Sequence, residues 1–344
     1  MFTYVPSPGE TSSALVVVLH GCTQNAASYD YGAGWSVLAE RYGFALLLPE
    51  QQRSNNPKSC FNWFLPGDIT RGQGEALSIR QMVERMTIDH GIDPRRVFVT
   101  GLSAGGAMTS VMLATYPEVF AGGAIIAGLP YGAANNVQTA LESMFQGHSR
   151  PAGEWGDLVR RASPHNGPWP RISVWHGSAD GVVKPTNADE IIKQWIDVHG
   201  LSSVPTLNQI IDGYPRRVWR SADGVDLIAA YTITGMGHGT PLATGHSEDR
   251  CGAAGAFLLE VGISSSYHIA RDWGLIGPRR TQAAEEIETI SISPEQPDGE
   301  NAPETVDAAY PEAEYASRRR SLPLDVHAVI SKALRAAGLM KSPQ

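Results

Sequence analysis

The chain has 344 residues, of which 42% are apolar and 18% charged, with a formal charge of −8; this is a globular composition with length for one large domain or two modest ones. Residues 281–317 carry ten acids and no Lys or Arg, leaving the remainder near +2, so the acidity belongs to a tail and says little about a substrate. No basic stripe with interleaved aromatics points to nucleic acid, and no window approaches the ~18 apolar residues of a membrane span.

The N-terminus, Met1-Phe2-Thr3-Tyr4-Val5-Pro6, lacks the basic start and apolar core of a signal peptide. The chain thus shows no export signal, and its start close to the first long strand predicts an upstream segment missing from this version. Ala14–Leu19 is a continuous apolar run, as in strands buried on both faces of a parallel sheet. A helical pattern follows at Trp35–Tyr42, then a second buried strand at Phe44–Leu48, stopped by Pro49. Residues 50–73 read as a polar loop in which Phe61, Trp63 and Phe64 are embedded. Glu75–His90 is predicted helical, with Ile79, Met82, Val83 and Met86 on one face. Val97–Val99 is a third strand, followed by Ser103 and a helix reaching Tyr116. Gly122–Ile126 is the fourth strand, residues 130–168 an irregular insertion, and Ile172–Trp175 the fifth strand. A helix over Ala188–His199 precedes two strands, Arg216–Arg220 and Leu227–Thr234, around the turn Ala222-Asp223-Gly224. A closing helix is predicted over Cys251–Val261.

The alternation of strand and helix predicts an α/β fold: a mostly parallel central sheet with helices on both faces, over residues 1–277. Residues 278–320 carry Pro294, Pro297, Pro303 and Pro311 among acids and have few large apolar residues. That composition does not offset the entropy of ordering, so an acidic disordered linker is expected. Within 321–344, Val326, Val329, Ile330, Ala333, Leu334 and Ala337 recur at helical spacing between Asp325 and Gly338, which predicts a short amphipathic helix. The tail reads either as a solvated extension with a loosely docked helix or as a tether to a partner or polymer surface. Cys22, Cys60 and Cys251 form neither a disulfide framework nor a zinc spacing; one bridge is open and its pairing is unassigned.

Gly101-Leu102-Ser103-Ala104-Gly105 is a G-x-S-x-G motif between a β-run and a helical run. A serine on such a sharp turn projects its hydroxyl, and small flanking residues permit the turn. A serine hydroxyl needs a base within hydrogen-bond reach. In the order serine, acid, histidine, Asp180 follows the fifth strand and His238 follows the last one, so both belong at the carboxyl edge of the sheet. Ser103 is the candidate nucleophile, His238 the base, and Asp180 the group that orients the imidazole. Two backbone N–H groups are expected to stabilise the oxyanion: that of Ala104, and that of Cys22 in the loop after the first long strand, with Thr23 second. Turnover is expected to rise as the base loses its proton, because neutral imidazole is the competent form.

Each assignment has a competitor. Ser103 also reads as a helix N-cap, His238 as a surface-loop histidine with His176 and His246 as rivals, and Asp180 as a turn residue with Asp189 and Asp212 as rivals. His20 reads as a brace for its loop. Glu75 reads as a carboxylate at a helix N-terminus. Phe61, Trp63, Phe64 and Tyr131 are candidates for a substrate groove, or else packing that pins their loops. No metal or organic cofactor is called for. An acyltransferase would use the same three residues with a different acceptor, and a non-catalytic binding protein would predict a damaged triad.

Four motifs in order, His20-Gly21-Cys22-Thr23-Gln24, Phe61-Asn62-Trp63-Phe64, Gly101–Met108 and Gly128-Leu129-Pro130-Tyr131-Gly132, resemble the poly(3-hydroxybutyrate) depolymerase family of esterases. These are α/β-hydrolases related to feruloyl and acetyl-xylan esterases, and the resemblance covers roughly residues 2–275. It implies an α/β-hydrolase fold, a triad at Ser103, Asp180 and His238, and hydrolysis of hydroxyalkanoate, feruloyl or acetyl esters through an acyl-enzyme. Members are often extracellular. Many continue Trp-Ser-Gly-Gly after the histidine, where this chain has Gly239-Thr240-Pro241-Leu242. No separate polymer-binding module is seen, so soluble oligomers or small esters are the expected substrates.

Overall fold

The computed structural model describes residues 1–6 and 14–277. The expected linker over 278–320 and helix over 321–344, and with them the tail's contacts, lie outside the described residues.

In chain order the elements are β1 (Phe2–Tyr4), β2 (Leu15–Leu19), α1 (Ala26–Ala33), α2 (Trp35–Tyr42), β3 (Ala45–Leu48), α3 (Pro66–Ile69), α4 (Gly74–His90), β4 (Val97–Leu102), α5 (Ala104–Thr115) and β5 (Gly122–Ile126). They continue with α6 (Val137–Gln146), α7 (Ala152–Ala162), β6 (Arg171–Gly177), α8 (Thr186–His199), β7 (Leu207–Ile211), β8 (Tyr214–Arg220), β9 (Asp226–Ile233), β10 (Thr240–Leu242), β11 (Leu258–Glu260) and α9 (Ser265–Asp272). Nine strands form one sheet in the order β1-β3-β2-β4-β5-β6-β9-β8-β7. The six from β3 to β9 in that order are parallel; β1 at one edge pairs antiparallel with β3, and at the other edge β8 pairs antiparallel with both β9 and β7. The mostly parallel sheet is the one that the alternating pattern predicts, in the α/β-hydrolase arrangement that the family resemblance implies.

Strand residues alternate between faces, and both faces are covered. Val16, Val18, Leu46, Phe98, Ala124 and Ile126 pack with Tyr29 of α1, Trp35 and Leu38 of α2 and Ile269 of α9. Trp273 stacks on Phe98 (centroids 4.7 Å apart) and on Trp35 (6.1 Å). On the other face α4, α5 and α8 pack against β3, β4 and β6. Every position of α5 is buried, and Leu113 lies against Gly123, where a Cβ would be 2.5 Å from its methyl. A helix that is apolar all round belongs inside a molecule, and α5 is the helix that follows Ser103.

Two expectations are corrected. Residues 130–168 are not irregular: they hold α6, started by a capping box between Asn136 and Thr139, and α7, which buries Trp155 and Val159. Gly and Pro scattered through the stretch read as breakers. Cys251–Val261 is not a helix. Its backbone is committed elsewhere, with Cys251 N–H donating to Ala243 O (3.0 Å) and Ala253 N–H to Gly32 O (3.0 Å), and the segment ends in β11. The closing helix is α9, capped by the Ser264 side chain. The elements β1, α1, α3, β7 and β10 also lie outside the predicted set; α1 buries small side chains such as Ala26, Gly32 and Ala33 and so shows little apolar stripe.

Candidate active site

Ser103 occupies the single step between β4 and α5, at φ 57° and ψ −115°. That left-handed φ is costly for a residue with a Cβ, and the surrounding chain imposes it. A Cβ at Gly105 would lie 2.2 Å from Leu19 O, and one at Gly101 2.5 Å from the Gly105 carbonyl. Glycine at both positions lets α5 start directly against the ends of β2 and β4. The Ser103 N–H donates to Ile126 O at 2.9 Å.

The loops after β6 and β9 are stitched together. Ala179 N–H donates to Met236 O (3.0 Å), Ser178 N–H to Ile233 O (3.0 Å), and Gly235 N–H to Ser178 Oγ (2.9 Å). A Cβ at Gly177 would meet Met236 O at 2.3 Å, so only glycine permits this approach. The result sets Asp180 beside His238. His238 Nδ1–H donates to Asp180 Oδ2 at 2.7 Å, and Ser103 Oγ–H donates to His238 Nε2 at 2.9 Å. Phe257 stands edge-on to the imidazole, with centroids 5.9 Å apart.

Asp180 is saturated with donors. Its Oδ1 accepts from the N–H groups of Val182 (2.8 Å) and Val183 (2.9 Å). Its Oδ2 also faces His176 Nε2 at 3.3 Å. Burial alone would raise its carboxyl, but the hydrogen bonds from His176 and His238 hold it well below the usual carboxylate range. A carboxylate so held stays ionised and keeps the proton of His238 on Nδ1, which leaves Nε2 free to accept from a hydroxyl.

The Cys22 and Ala104 N–H groups donate to no acceptor among the described residues. Thr23 does not share that freedom: its N–H donates to Lys58 O at 2.8 Å, so Thr23, the alternative to Cys22 as a donor, is corrected. The open pairing question is answered by a Cys22–Cys60 disulfide, with Cys251 free and buried. Behind this loop His20 is fully buried. Its Nδ1–H donates to Gly21 O (2.8 Å), and its Nε2 accepts from Gln51 N–H (3.1 Å). Burial pushes the imidazole below its ordinary value, which suits a neutral brace. Glu75 does more than face a helix dipole. It accepts from the Gln51 side-chain amide and from Asn62 N–H (2.8 Å), and burial lifts its carboxyl to about 7.

Among the four candidate groove aromatics, Phe61 and Trp63 are buried, at 3% and 5% exposure. Phe61 tilts onto His20 at 5.0 Å. Phe64 and Tyr131 keep partly open surface, and Gln194 clamps the Tyr131 backbone from both sides, at 3.0 Å each. The rival residues lie elsewhere: Asp212 pairs with His268 (2.7 Å), Asp189 with Arg217 (3.1 Å), and His246 is exposed. His176 touches the acid rather than the serine. Sequence reading missed Phe257 and Gln51. Phe257 sits inside the segment read as helix, and Gln51 in a polar loop carries no signal of its own. A cavity of about 310 Å³ opens beside His176 between α8 and the sheet, away from the Ser103 hydroxyl.

Comparison with known proteins places this geometry in context. The family described as "Esterase PHB depolymerase" matches residues 2–209. The chain is 51% identical over 278 residues to poly(3-hydroxyalkanoate) depolymerase C of Paucimonas lemoignei, covering 80% of this chain and 67% of that protein. It is 35% identical over 251 residues to feruloyl esterase B of Neurospora crassa, covering 70% of this chain and 83% of that protein. Among solved structures, the acetyl xylan esterase from Aspergillus awamori superposes with a TM-score of 0.61 at 29% identity, covering 69% of this chain and 87% of that one.

Proposed function

Since the chain belongs to the PHB depolymerase family of esterases, and is a carboxylic ester hydrolase on that ground, we propose that it works through an acyl-enzyme on Ser103, with hydroxyalkanoate esters as its first substrate class. The observation that carries the reading is the unbroken line from Ser103 Oγ to His238 Nε2 (2.9 Å) and from His238 Nδ1 to Asp180 Oδ2 (2.7 Å). Ser103 attacks the ester carbonyl while His238 takes its proton. The Cys22 and Ala104 N–H groups receive the oxyanion, and His238 then protonates the leaving alcohol. Water follows the same path in reverse to release the acid. Identity supports hydroxyalkanoate esters ahead of feruloyl or acetyl ones, because the depolymerase relative stands at 51% and the feruloyl esterase at 35%. Phe64 and Tyr131 are the aromatic surfaces available to an acyl or polymer chain.

Ser103→Ala is expected to lose turnover of p-nitrophenyl butyrate by a factor on the order of 10⁶, the scale seen when a triad nucleophile is removed. An organophosphonate should label Ser103 in the parent enzyme. A variant that turns over like the parent ends the proposal. A panel of 3-hydroxybutyrate oligomers, methyl ferulate and acetylated xylan ranks the substrates, and a higher kcat/KM for methyl ferulate than for the oligomers would overturn the choice of class.

A further inference from the structure

A polar chain, part-buried at Glu75 and buried at His20, lies behind the loop of Cys22 and is unused by the reaction as described. It begins in the first turn of α4, where Glu75 accepts from the Gln51 side-chain amide and from Asn62 N–H (2.8 Å). The same Gln51 amide donates to Cys60 O at 3.1 Å, next to the bridge to Cys22. Gln51 N–H donates to His20 Nε2 at 3.1 Å, which puts the His20 proton on Nδ1, and Nδ1–H donates to Gly21 O at 2.8 Å. Gly21 C=O and Cys22 N–H belong to one planar peptide unit and point in opposite directions. A donor that grips the Gly21 oxygen therefore aims the Cys22 N–H.

We infer that Glu75 is a positioning residue for the oxyanion donor at Cys22, acting in series through Gln51, His20 and the Gly21–Cys22 peptide. The inference rests on the proposed role of the Cys22 N–H. Glu75 reaches no reacting atom; its carboxylate fixes the side chain and hence the backbone of Gln51. His20 has no freedom to compensate, because it is fully buried and its two ring nitrogens are both engaged. Gln24 N–H also reaches Gly21 O, at the longer distance of 3.3 Å, so without the anchor the peptide plane keeps only that weaker restraint and the donor is held less firmly in place. An oxyanion exists only along the reaction path, so the damage should fall on kcat and spare KM.

The test uses Glu75→Gln, Gln51→Ala and the double variant in the full chain. The readouts are kcat and KM for p-nitrophenyl butyrate and the Ki of a trifluoromethyl ketone, whose hemiketal with Ser103 carries an oxyanion. Complete loss of one oxyanion donor costs ~10²–10³ in turnover; a misaimed donor should cost about tenfold. Each single variant is therefore expected to lose about tenfold in kcat and in ketone affinity, with KM within twofold. The double variant should be no worse than the poorer single, because the two residues act in series. Parent-like kcat and Ki, a change confined to KM, or losses that multiply in the double variant would each overturn the inference. Should Glu75→Gln fail to fold, Gln51→Ala alone carries both readouts. Failure of the parent reading shows separately, as full activity in Ser103→Ala or as no ketone binding by the unmodified enzyme.

Discussion

Asp180 accepts at both oxygens, and that dictates what an amide there would do. The two backbone donors at Val182 and Val183 demand an oxygen, so Asp180→Asn must turn its NH₂ toward His238. Nδ1 then has to accept, the ring proton moves to Nε2, and the proposed base faces Ser103 in the wrong tautomer. A loss of about 10⁴ in kcat is expected with the fold retained, read from p-nitrophenyl butyrate kinetics and circular dichroism. A second residue-scale expectation concerns His199, at the end of α8. Burial lowers its imidazole to about 4, against the hydrogen bond it donates to Pro170 O (3.2 Å). Between that value and the ordinary 6.5 the unfolded chain binds the extra proton, so this contribution is complete above about 6.5 and is lost as the pH falls toward 4. Allowing for its partial exposure, about 1–3 kcal/mol is at stake. Melting of His199→Gln should fall less steeply than the parent over that window, and equal slopes would remove His199 from the account. At this scale the sequence was informative where chemistry and order coincide, at Ser103, Asp180 and His238. Thr23 was not legible, because its partner Lys58 is a tertiary contact.

The loop between β3 and α4 shows how elements share one task. It carries Gln51, Lys58, Cys60 and Asn62, which hold respectively His20, Thr23, Cys22 and Glu75. Its polar, proline-bearing composition predicts a loop and says nothing of this grip. Phe61 and Trp63 are likewise interior packing that aromatic content alone could not separate from a groove wall. The bridge across Cys22 and Cys60 closes a loop with a sequence separation of 38, for which about 2–4 kcal/mol is typical. Reduction by dithiothreitol should lower the melting temperature and reduce kcat with little change in KM, since the bridge flanks the N–H proposed as oxyanion donor. Cys251 is buried and its thiol is pushed up by burial, so it should not react with a thiol reagent in the native enzyme. Unchanged kcat and melting after complete reduction would show that hydrogen bonds alone hold the loop. The helices α6 and α7 were concealed for another reason: Gly132, Gly147, Pro151, Gly153 and Gly156 lie around and within them and read as breakers.

At the scale of the molecule, the parallel run from β3 to β9 decides where chemistry can happen. Ser103, Asp180 and His238 lie 58 to 135 residues apart in sequence, yet each follows the carboxyl end of a parallel strand. The strand order, with β4, β5, β6 and β9 adjacent, brings those ends to one rim. The alternating pattern made that architecture legible, whereas the edge strands β1 and β7 were too short or too exposed to read. The described body is closed on itself: Trp273 and Leu275 are buried at 7% and 6% exposure, and Trp273 stacks on Phe98 of β4. Every residue proposed for the reaction precedes that seal. A chain ending at Gly277 is therefore expected to keep kcat/KM for p-nitrophenyl butyrate within about twofold and to melt cooperatively, since independent parts contribute additively. Binding of the full and shortened chains to polyester granules measures the tail separately. Loss of granule binding with small-ester turnover intact would assign the tail to tethering. Loss of small-ester turnover would show instead that residues beyond 277 support the catalytic body, and the account of a self-sufficient sheet would fail.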